Sequence, residues 1–450
     1  MKQILFFPFC AQVLISSGLK AQFSPTIIID DNQEDFTSLI KVADFNNDGR
    51  NDILTVSDKF PLDAVKIYYN QGNNNFSPAL IEERDNIVTV DVSDMNGDSQ
   101  IDFAIISGNG TETDLSWYEN QDGDFERHFL ANVDFGMNKV ILKDFNNDGM
   151  TDILSLEHTV FVLRKAINPG VFDDGESFAE PTEYYAMDTN DYNNDGFLDV
   201  SVASATGFPV FLNDSGNSFS HFSNAGSFIS FGLQSADLDL DGDIDIVSYD
   251  TLRGLNLYTN DGNANFTFDS TILDSTDNFS IFGLADLNCD EIPDLHTVIS
   301  QLGQVIWIEN QGSGNFNSPN IIHDFDGLIY ASGNGDLNGD EVPDLIFGRD
   351  DLMMALNECD VMNVSDVNSY DFQVYPNPVN DFLYFKSKTQ NFEIQVLNET
   401  GKLICTEKVT DGKASLKMLS PGVYLLKSDK FPKVFKIIKG LMDIFQAKNS

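Results

Sequence analysis

Positive charge is scarce in this sequence of 450 residues. It holds 26 lysine and arginine residues against 71 aspartate and glutamate residues, a formal net charge of −45. Nucleic-acid binding needs a basic face, so this composition argues against that class of function. A folded protein rarely tolerates so much self-repulsion without bound counterions, so the charge itself indicates a protein that holds cations.

The few basic residues are also unevenly distributed. Residues 1–370 hold 14 basic and 63 acidic residues, whereas residues 371–450 hold 12 basic and 8 acidic residues, so the two parts carry −49 and +4. This change predicts a domain boundary near residue 365. Residues 361–368 are polar and without periodicity, which is typical of a linker.

Cysteine, histidine and long apolar runs are scarce as well. Four cysteines and five histidines occur. Cys289, Cys359 and Cys405 would remain after N-terminal processing, an odd set that does not make a disulfide framework and leaves a Cys289–Cys359 bridge open. The mature chain has no run long enough for a transmembrane helix. There is no His-Glu-x-x-His, Gly-x-Ser-x-Gly or phosphate-binding glycine loop, so we predict no catalytic residues and no enzyme.

The N-terminus has the layout of an export signal. Lys2 is followed by the mostly apolar stretch Ile4–Ile15 and by small residues that lead to Ala21. This order predicts a signal peptide over residues 1–21, with a buried first strand as the alternative. We therefore expect an exported protein.

An acidic nonapeptide occurs seven times, first at Asp44–Asp52, with starts 46 to 50 residues apart. One short apolar strand pattern precedes each copy. Two more follow it, and a glycine/asparagine turn then leads to a fourth. A four-stranded sheet cannot bury both faces alone, so we predict an all-β fold in which seven sheets form a seven-bladed β-propeller. The alternative is an open array of sandwich domains, for which a unit near 50 residues is small.

The ends of the repeat region predict how the ring closes. The seventh repeat stops after its third strand pattern, at Asn357, whereas the mature chain begins with Phe23-Ser24-Pro25, which matches Phe76-Ser77-Pro78 at the start of a fourth strand. We therefore predict that the N-terminal segment supplies the last strand of the last sheet, which removes two free sheet edges. The propeller should span residues 22–360.

Oxygen-bearing side chains recur at positions 1, 3, 5 and 9 of every nonapeptide, and position 7 can offer its backbone carbonyl. A calcium ion takes about six to eight oxygen ligands, whereas magnesium prefers fewer protein ligands and more water. No histidine or cysteine recurs at these positions, which disfavours zinc and copper. We predict up to seven calcium ions, with asparagine- and aspartate-rich turns without metal as the alternative.

The predicted calcium ligands are grouped here by loop, in chain order. They are Asp44, Asn46, Asp48, Arg50 and Asp52; Asp94, Asn96, Asp98, Gln100 and Asp102; Asp144, Asn146, Asp148, Met150 and Asp152; Asp191, Asn193, Asp195, Phe197 and Asp199; Asp237, Asp239, Asp241, Asp243 and Asp245; Asp286, Asn288, Asp290, Ile292 and Asp294; and Asp336, Asn338, Asp340, Val342 and Asp344. Three loops lack glycine at position 6 and carry Ser99, Glu291 or Glu341. A side chain there is expected to strain the turn, so we expect weaker calcium sites in loops six and seven.

The repeats resemble the FG-GAP/VCBS repeats of integrin-α-like propellers. The resemblance is carried by the Asp-x-Asn/Asp-x-Asp-Gly-x-x-Asp loop and by the Asn-x-Gly-x-x-x-Phe turn, as in Asn310–Phe316, and it covers about residues 22–360. It implies that calcium has a mainly structural role in these loops and that ligands usually meet other loops.

Residues 369–440 carry a different alternating pattern, which predicts a small β-sandwich. Tyr375-Pro376-Asn377-Pro378, the run Leu419–Tyr424 and the basic run Lys433–Lys439 resemble the sorting domain of the Bacteroidetes type IX secretion system. The resemblance implies that the secretion machinery is a partner and that the protein is exported through the periplasm, then either secreted or held at the outer-membrane surface. An ordinary adhesive sandwich is the alternative. Residues 441–450 extend the chain as a tail beyond the pattern.

Three functions remain open on this sequence. The first is a monomeric, non-catalytic binding or adhesion module for an extracellular glycan or protein, for which the longest insertion, residues 164–190, is a candidate surface. The second is a polysaccharide-degrading enzyme or its accessory subunit. The third is a structural envelope protein. Trp117 and Trp307 occupy matching third-strand positions, where blade packing is expected rather than a sugar platform.

Overall fold

A computed structural model describes residues 23–359 and 373–439 of the chain, with short gaps. The gaps are 32–35, 60, 109–111, 135, 137–138, 158, 179–183, 217, 227, 251, 275–280, 301, 326–327, 349–350, 376–378, 380–381, 387–391, 399–401, 421 and 429–434. The predicted signal peptide, linker and tail (1–21, 361–368 and 441–450) lie outside the described residues, as do part of the Tyr375–Pro378 motif and the first residues of the Lys433–Lys439 run. The chain divides between Cys359 and Asp360 into two compact units.

The first unit contains only strands and turns among its described residues. In chain order its strands are β1 (Ile27–Asp30), β2 (Phe36–Ala43), β3 (Asp52–Asp58), β4 (Asp63–Asn70), β5 (Phe76–Arg84), β6 (Ile87–Ser93), β7 (Asp102–Gly108), β8 (Thr113–Gln121), β9 (Asp124–Asn132), β10 (Lys139–Lys143), β11 (Asp152–Glu157), β12 (Val160–Arg164), β13 (Ala166–Asn168), β14 (Val171–Phe172), β15 (Glu176–Phe178), β16 (Tyr184–Asn190), β17 (Asp199–Ser204), β18 (Phe208–Asn213), β19 (Phe219–Ala225), β20 (Ser230–Ala236), β21 (Asp245–Asp250), β22 (Gly254–Asn260), β23 (Phe266–Leu273), β24 (Phe282–Ala285), β25 (Asp294–Ile299), β26 (Gln304–Ile308), β27 (Asn320–Asp324), β28 (Ala331–Gly335), β29 (Asp344–Gly348) and β30 (Leu352–Ala355).

These strands form seven four-stranded antiparallel sheets in the described part of the unit, numbered here along the chain. Sheet 1 is β2–β5, sheet 2 is β6–β9, sheet 3 is β10, β11, β12 and β15, sheet 4 is β16–β19, sheet 5 is β20–β23, sheet 6 is β24–β27, and sheet 7 is β28–β30 with β1. Strands β13 and β14 form a separate hairpin within sheet 3's segment.

Alternating side chains of the central strands pack against the two neighbouring sheets. In β3, Ile53 belongs to the apolar cluster shared with sheet 7, and the next residue, Leu54, belongs to the cluster shared with sheet 2. Seven such clusters occupy the junctions between successive sheets. Because side chains point to opposite faces along a strand, the apolar run is buried on both faces and each sheet is held between two others. This arrangement is an all-β propeller, as the sequence predicts.

The ring closes through the N-terminal segment. Strand β1 pairs antiparallel with β30, with Ile27 opposite Met354, and the Ser24 amide donates to the Leu356 carbonyl at 2.8 Å. The prediction that the N-terminal segment completes the last sheet is confirmed. The last junction buries Ile40 and Ile53 of sheet 1 with Ile346 of sheet 7.

A disulfide joins Cys289, in the loop before β25, to Cys359, just beyond β30, with their Cα atoms 6.3 Å apart. It closes a loop of 70 residues. In the chain-entropy description, a loop of this size stabilises the folded state by about 4 kcal/mol. The Cys289–Cys359 bridge, which the sequence could not establish, is therefore present in the structure. Cys405 of the second unit is a free thiol.

The second unit is a small sandwich of two sheets around one core. Its strands are β31 (Gln373–Tyr375), β32 (Phe382–Lys386), β33 (Phe392–Leu397), β34 (Leu403–Val409), β35 (Lys413–Ser415), β36 (Gly422–Lys427) and β37 (Phe435–Lys439). One sheet has the order β31-β32-β35 and the other β34-β33-β36-β37. Leu383 of the first sheet and Ile394 and Leu426 of the second belong to the same buried cluster. In the described part of the chain, no helix is long and apolar enough to cross a bilayer.

Candidate metal sites

Each acidic nonapeptide forms the loop between the first and second strands of its sheet. The first loop, for example, lies between β2 and β3, and Asp52 at its ninth position begins β3. The seven loops therefore occupy equivalent places in the seven sheets, as the repeat pattern predicts.

The side-chain oxygens at positions 1, 3 and 5 accept hydrogen bonds from backbone amides of their own loop, and these bonds fold the loop into a tight turn. In all seven loops the position-6 amide donates to position 1 at 2.7–3.1 Å, and the position-5 amide donates to position 3 at 2.9–3.2 Å. The position-7 amide donates to position 5 at 2.8–3.0 Å. These bonds give all seven loops the same tight turn and keep the oxygens of positions 1, 3 and 5 within one short loop; oxygens are the ligands that a hard cation prefers.

The backbone at positions 4 and 6 is left-handed in every loop. Position 6 includes Ser99, Glu291 and Glu341, with φ of 70°, 69° and 67°. The predicted departure from glycine therefore does place side chains in a conformation that L-residues disfavour. Position 4 was missed by the sequence reasoning, and there Leu240 and Cys289 have φ of 65° and 61° where other loops use asparagine or glycine.

The ninth-position aspartate is wholly buried in each loop. One of its oxygens accepts the position-2 amide at 2.9–3.2 Å, and the other accepts an amide at or just beyond the end of the third strand at 2.7–3.0 Å. Sequence reasoning assigned this residue to the metal alone. In the structure, its hydrogen bonds also connect the loop to the third strand of the same sheet.

Burial raises the pKa of every ninth-position carboxyl from its ordinary 3.8, and the neighbouring loop carboxylates add to the rise, against the effect of the two amide bonds. The pKa becomes about 6 for Asp52, Asp102, Asp152 and Asp245, about 7 for Asp199 and Asp344, and about 8 for Asp294. Without a cation, these carboxylates therefore carry an electrostatic cost at neutral pH.

A buried asparagine near the end of the third strand links each loop to the next sheet. We call these six residues the bridging asparagines: Asn70, Asn120, Asn213, Asn260, Asn310 and Asn357. Each side-chain amide donates to the position-2 carbonyl of the preceding sheet's loop at 2.8–2.9 Å. The repeated Asn-x-Gly turn was visible in the sequence, but its bond across the sheet junction was not.

Sheet 3 has Ala166 in place of the bridging asparagine, and the hairpin β13–β14 supplies the missing bond. The Gly170 amide at its tip donates to the Met95 carbonyl of loop two at 3.3 Å. A Cβ on Gly170, which has φ of 68°, would lie 3.2 Å from the Trp117 ring, so glycine lets the tip approach closely. Within the insertion that the sequence offered as a binding surface, Gly170 and Phe172 therefore contact sheet 2, where the Phe172 ring meets Trp117 edge-on.

In the fifth loop, three predicted ligands lie close together. Asp237, Asp239 and Asp245 each offer a carboxylate oxygen, and these oxygens lie within 4.8 Å of one another. In the first loop, the Arg50 guanidinium pairs with the Asp48 carboxylate, so a cation there would compete with an arginine. The donor set in all seven loops consists of oxygens, which fits calcium and not a thiolate- or imidazole-binding metal.

A second group of potential ligands lies outside the loops. Glu119, Glu126 and His128 offer ligand atoms within 4.8 Å of one another on the paired strands β8 and β9, with His128 Nε2 3.0 Å from Glu119 Oε2. No sequence motif singles out His128, and only the pairing of β8 with β9 brings it to Glu119. Trp117 and Trp307 are buried between sheets, as predicted.

Two families match the chain. The FG-GAP-like repeat matches residues 44–105, 94–155, 191–248 and 237–297, and the secretion system C-terminal sorting domain matches residues 373–439. No curated protein matches the chain as a relative.

Solved structures share the propeller fold at low identity. A lectin from Agrocybe aegerita, described as recognising non-reducing terminal N-acetylglucosamine, is 16% identical with a TM-score of 0.52, and the match covers 70% of this chain and 86% of the lectin. Two structures of BBS1N in complex with ARL6DN, soaked with mercury or lead, are 11% and 12% identical. Their TM-scores are 0.53 and 0.52, and the matches cover 74% and 75% of this chain and 96% of each of theirs.

The fold and the two matches define a repeat propeller that carries a secretion signal at its C-terminus. The chain belongs to the FG-GAP repeat β-propeller proteins that carry a type IX secretion sorting domain. The sorting domain indicates export to the cell surface or release from the cell.

Proposed function

We propose that this protein is a calcium-loaded, non-catalytic binding module displayed at or released from the cell surface. The observation that supports it best is the repetition of one oxygen-lined loop conformation in all seven sheets, with carboxylates at positions 1, 5 and 9 of each. Most carboxylates of the loops already accept backbone amides, so their arrangement is explained by loop structure and cation binding without a catalytic role.

Bound calcium would supply positive charge that neutralises the carboxylates of these loops. The seven nonapeptides hold 23 aspartates, and their buried ninth positions have raised pKa values. The residues that would hold an ion are the side chains of positions 1, 3, 5 and 9 with the carbonyl of position 7. A cation that binds the folded state alone stabilises it by mass action.

The direct test is calcium titration of the mature chain. We expect calorimetry to show binding at several sites and excess chelator to lower the melting temperature by several degrees. The double variant Asp237→Asn, Asp241→Asn keeps the shape of loop five but removes two charges, so it should bind one ion fewer. The control Asp269→Asn, an exposed carboxylate on the outer strand of the same sheet, should bind as many ions as the wild type.

A melting temperature that is the same in calcium and in excess chelator would contradict the calcium proposal. The binding role has its own test, which is a screen of the calcium-loaded protein against glycans and extracellular proteins. Ligands that bind the calcium-loaded protein but no longer bind after chelation would support a binding module whose loops are ordered by calcium. Turnover of a polysaccharide by the purified chain would replace the binding role with an enzymatic one.

A further inference from the structure

The innermost strands of all seven sheets enclose a cavity of about 500 Å³ on the axis of the ring. Its lining includes Leu39 of sheet 1, Val90 of sheet 2, Phe282 of sheet 6 and Ser332 of sheet 7. A cavity of this size is in the range that holds small molecules.

Basic residues are concentrated around this cavity. Residues 23–359 contain six lysines, and three of them, Lys41, Lys139 and Lys143, line it. The carboxylates in the lining are Asp91 and Asp188. Residues 1–370 carry a net charge of −49. The cavity lining, with three lysines and two aspartates, is by contrast net positive.

Lys41 and Lys143 have partners within the lining. Lys41 Nζ lies 2.7 Å from an oxygen of Asp91, whose other oxygen accepts the Leu142 amide. Lys143 Nζ donates to the Thr189 carbonyl at 3.3 Å. The Asp188 carboxylate accepts the Ser235 hydroxyl at 2.6 Å.

Lys139 is different from the other two lysines. Among the described residues, none forms a hydrogen bond or ion pair with its ammonium group. Burial and the neighbouring Lys41 ammonium lower the pKa of Lys139, against the effect of the Asp91 carboxylate. A half-buried charge without a hydrogen-bonding partner is costly, and a bound anion would offset that cost.

The same cavity has an aromatic part. Tyr185 and Phe231 lie in the lining with ring centroids 4.8 Å apart, and Phe282 joins them from sheet 6. Gly232 leaves room for that ring, because a Cβ there would lie 2.9 Å from it. An inorganic ion would leave this apolar surface unused, whereas a ligand with both an anionic and an apolar part would cover it.

We propose that the axial cavity binds a small organic carboxylate, with its anionic group on Lys139 and its apolar part against Tyr185, Phe231 and Phe282. The inference names a ligand class for the proposed binding role and rests on that role. It does not depend on calcium, because none of the residues named is a loop ligand.

The test uses the purified mature chain and 3-phenylpropionate as the probe, with binding followed by calorimetry. The neutral 3-phenylpropanamide keeps the ring and removes the charge, and we expect it to bind at least about tenfold more weakly, a difference near 1.4 kcal/mol. Phenyl phosphate provides a second anionic probe. Tighter binding of phenyl phosphate than of the carboxylate would overturn the choice of a carboxylate in favour of a phosphate.

Variants locate the site. Lys139→Met should weaken 3-phenylpropionate binding about tenfold or more, and Lys139→Arg should retain most of it. The control Lys59→Met removes one charge outside the cavity, where Lys59 faces Glu83, and should bind as the wild type does. If Lys139→Met melts abnormally, Lys139→Gln is the second variant, with the same expected direction.

Equal binding of the acid and its amide, an equal loss in Lys59→Met, or the absence of acid binding would each overturn the proposal. The calcium-induced rise in melting temperature is measured in the same samples. If calcium does not raise the melting temperature but 3-phenylpropionate still binds, the calcium proposal alone is contradicted. If calcium raises the melting temperature but 3-phenylpropionate does not bind, the cavity proposal alone is contradicted.

Discussion

At the residue scale, two kinds of buried polar residue hold the loops in place, an aspartate in all seven sheets and an asparagine in six of them. The ninth-position aspartate accepts two backbone amides, and the bridging asparagine donates to the carbonyl of the neighbouring loop. Both are withdrawn from water, so each depends on its partners being present, because a buried polar group without a partner costs about 1–3 kcal/mol. This mutual dependence ties the order of each loop to the packing of two sheets.

The bridging asparagines should therefore be sensitive to truncation. Asn310→Ala leaves the carbonyls of Leu238 and Pro293 without their donor, which lies 2.8 and 3.2 Å away. We expect a loss of about 2 kcal/mol in the free energy of unfolding, measured by denaturant titration. Asn315→Ala, an exposed residue of the same turn, should change it by less than about 0.5 kcal/mol. Equal effects of the two substitutions would contradict the bridging role.

The position-6 glycines provide a test of backbone conformation alone. Gly149 has φ of 86°, and an added Cβ would meet no atom within 4 Å. Gly149→Ala should therefore lower the free energy of unfolding by about 1 kcal/mol through backbone strain. Gly149→Asn should cost less, because asparagine tolerates the left-handed region. An alanine variant as stable as the wild type would show that the loop relaxes.

At the scale of the element, the strands and the loops differ in burial and charge. The second strand of each sheet is buried on both faces, and its side chains are mostly apolar, with a few small polar residues such as Thr55 and Ser155 among them. The loop before it is exposed and acidic, yet it ends in a buried aspartate. The loops are therefore the elements in which pH should change stability.

The metal-free protein should become more stable as pH falls from about 8 to about 5. The ninth-position carboxyls have folded pKa values of about 6 to 8 against 3.8, so the folded state holds protons that the unfolded state has released. Their contribution is complete below pH about 4 and is lost as pH rises through the folded values.

Buried His296, whose pKa is lowered to about 4, acts in the opposite direction between about pH 4 and 6.5. Burial also lowers the pKa of His323, but these are two groups against seven carboxyls. Melting temperatures in excess chelator across this range are the measurement, with calcium added at pH 8 as the control that should restore stability. A melting temperature that falls steadily on acidification from pH 8 would contradict the expected sign.

At the scale of the whole molecule, the ring depends on pairing between its two ends. Strand β1 covers the edge of β30, and Ile27 and Ile29 pack against the cluster between sheets 7 and 1. The Cys289–Cys359 disulfide holds the other end of the repeat region to sheet 6. Closure therefore combines one strand pairing, one apolar cluster and one covalent bond.

Removal of residues 22–31 from the mature chain should open the ring. The β30 edge and part of the apolar cluster would be exposed, which we expect to lower the free energy of unfolding by about 3 kcal/mol or more. The measurement is thermal unfolding of the shortened chain with and without a synthetic peptide of residues 23–31. The peptide should restore part of the lost stability, and an unchanged melting temperature after truncation would contradict the closure mechanism.

The sequence by itself determined the all-β propeller, the position of the seven loops and the strand that closes the ring. These features follow from local rules: apolar alternation, turn residues and a regular repeat are all read along the chain. The ninth-position aspartates were identifiable as a repeated residue, because an acidic position that recurs seven times is visible without a structure.

Only the tertiary structure decided which partners these residues meet. The bond of a bridging asparagine to the preceding sheet's loop joins residues about 70 positions apart, as in Asn310 and Leu238, and no local pattern encodes it. The same holds for the Cys289–Cys359 bridge and for Lys41, Lys139 and Lys143, which are separate in the chain and share a cavity because their strands line one axis. Long-range contacts are set by how the sheets pack, and the packing exists only once the ring has closed.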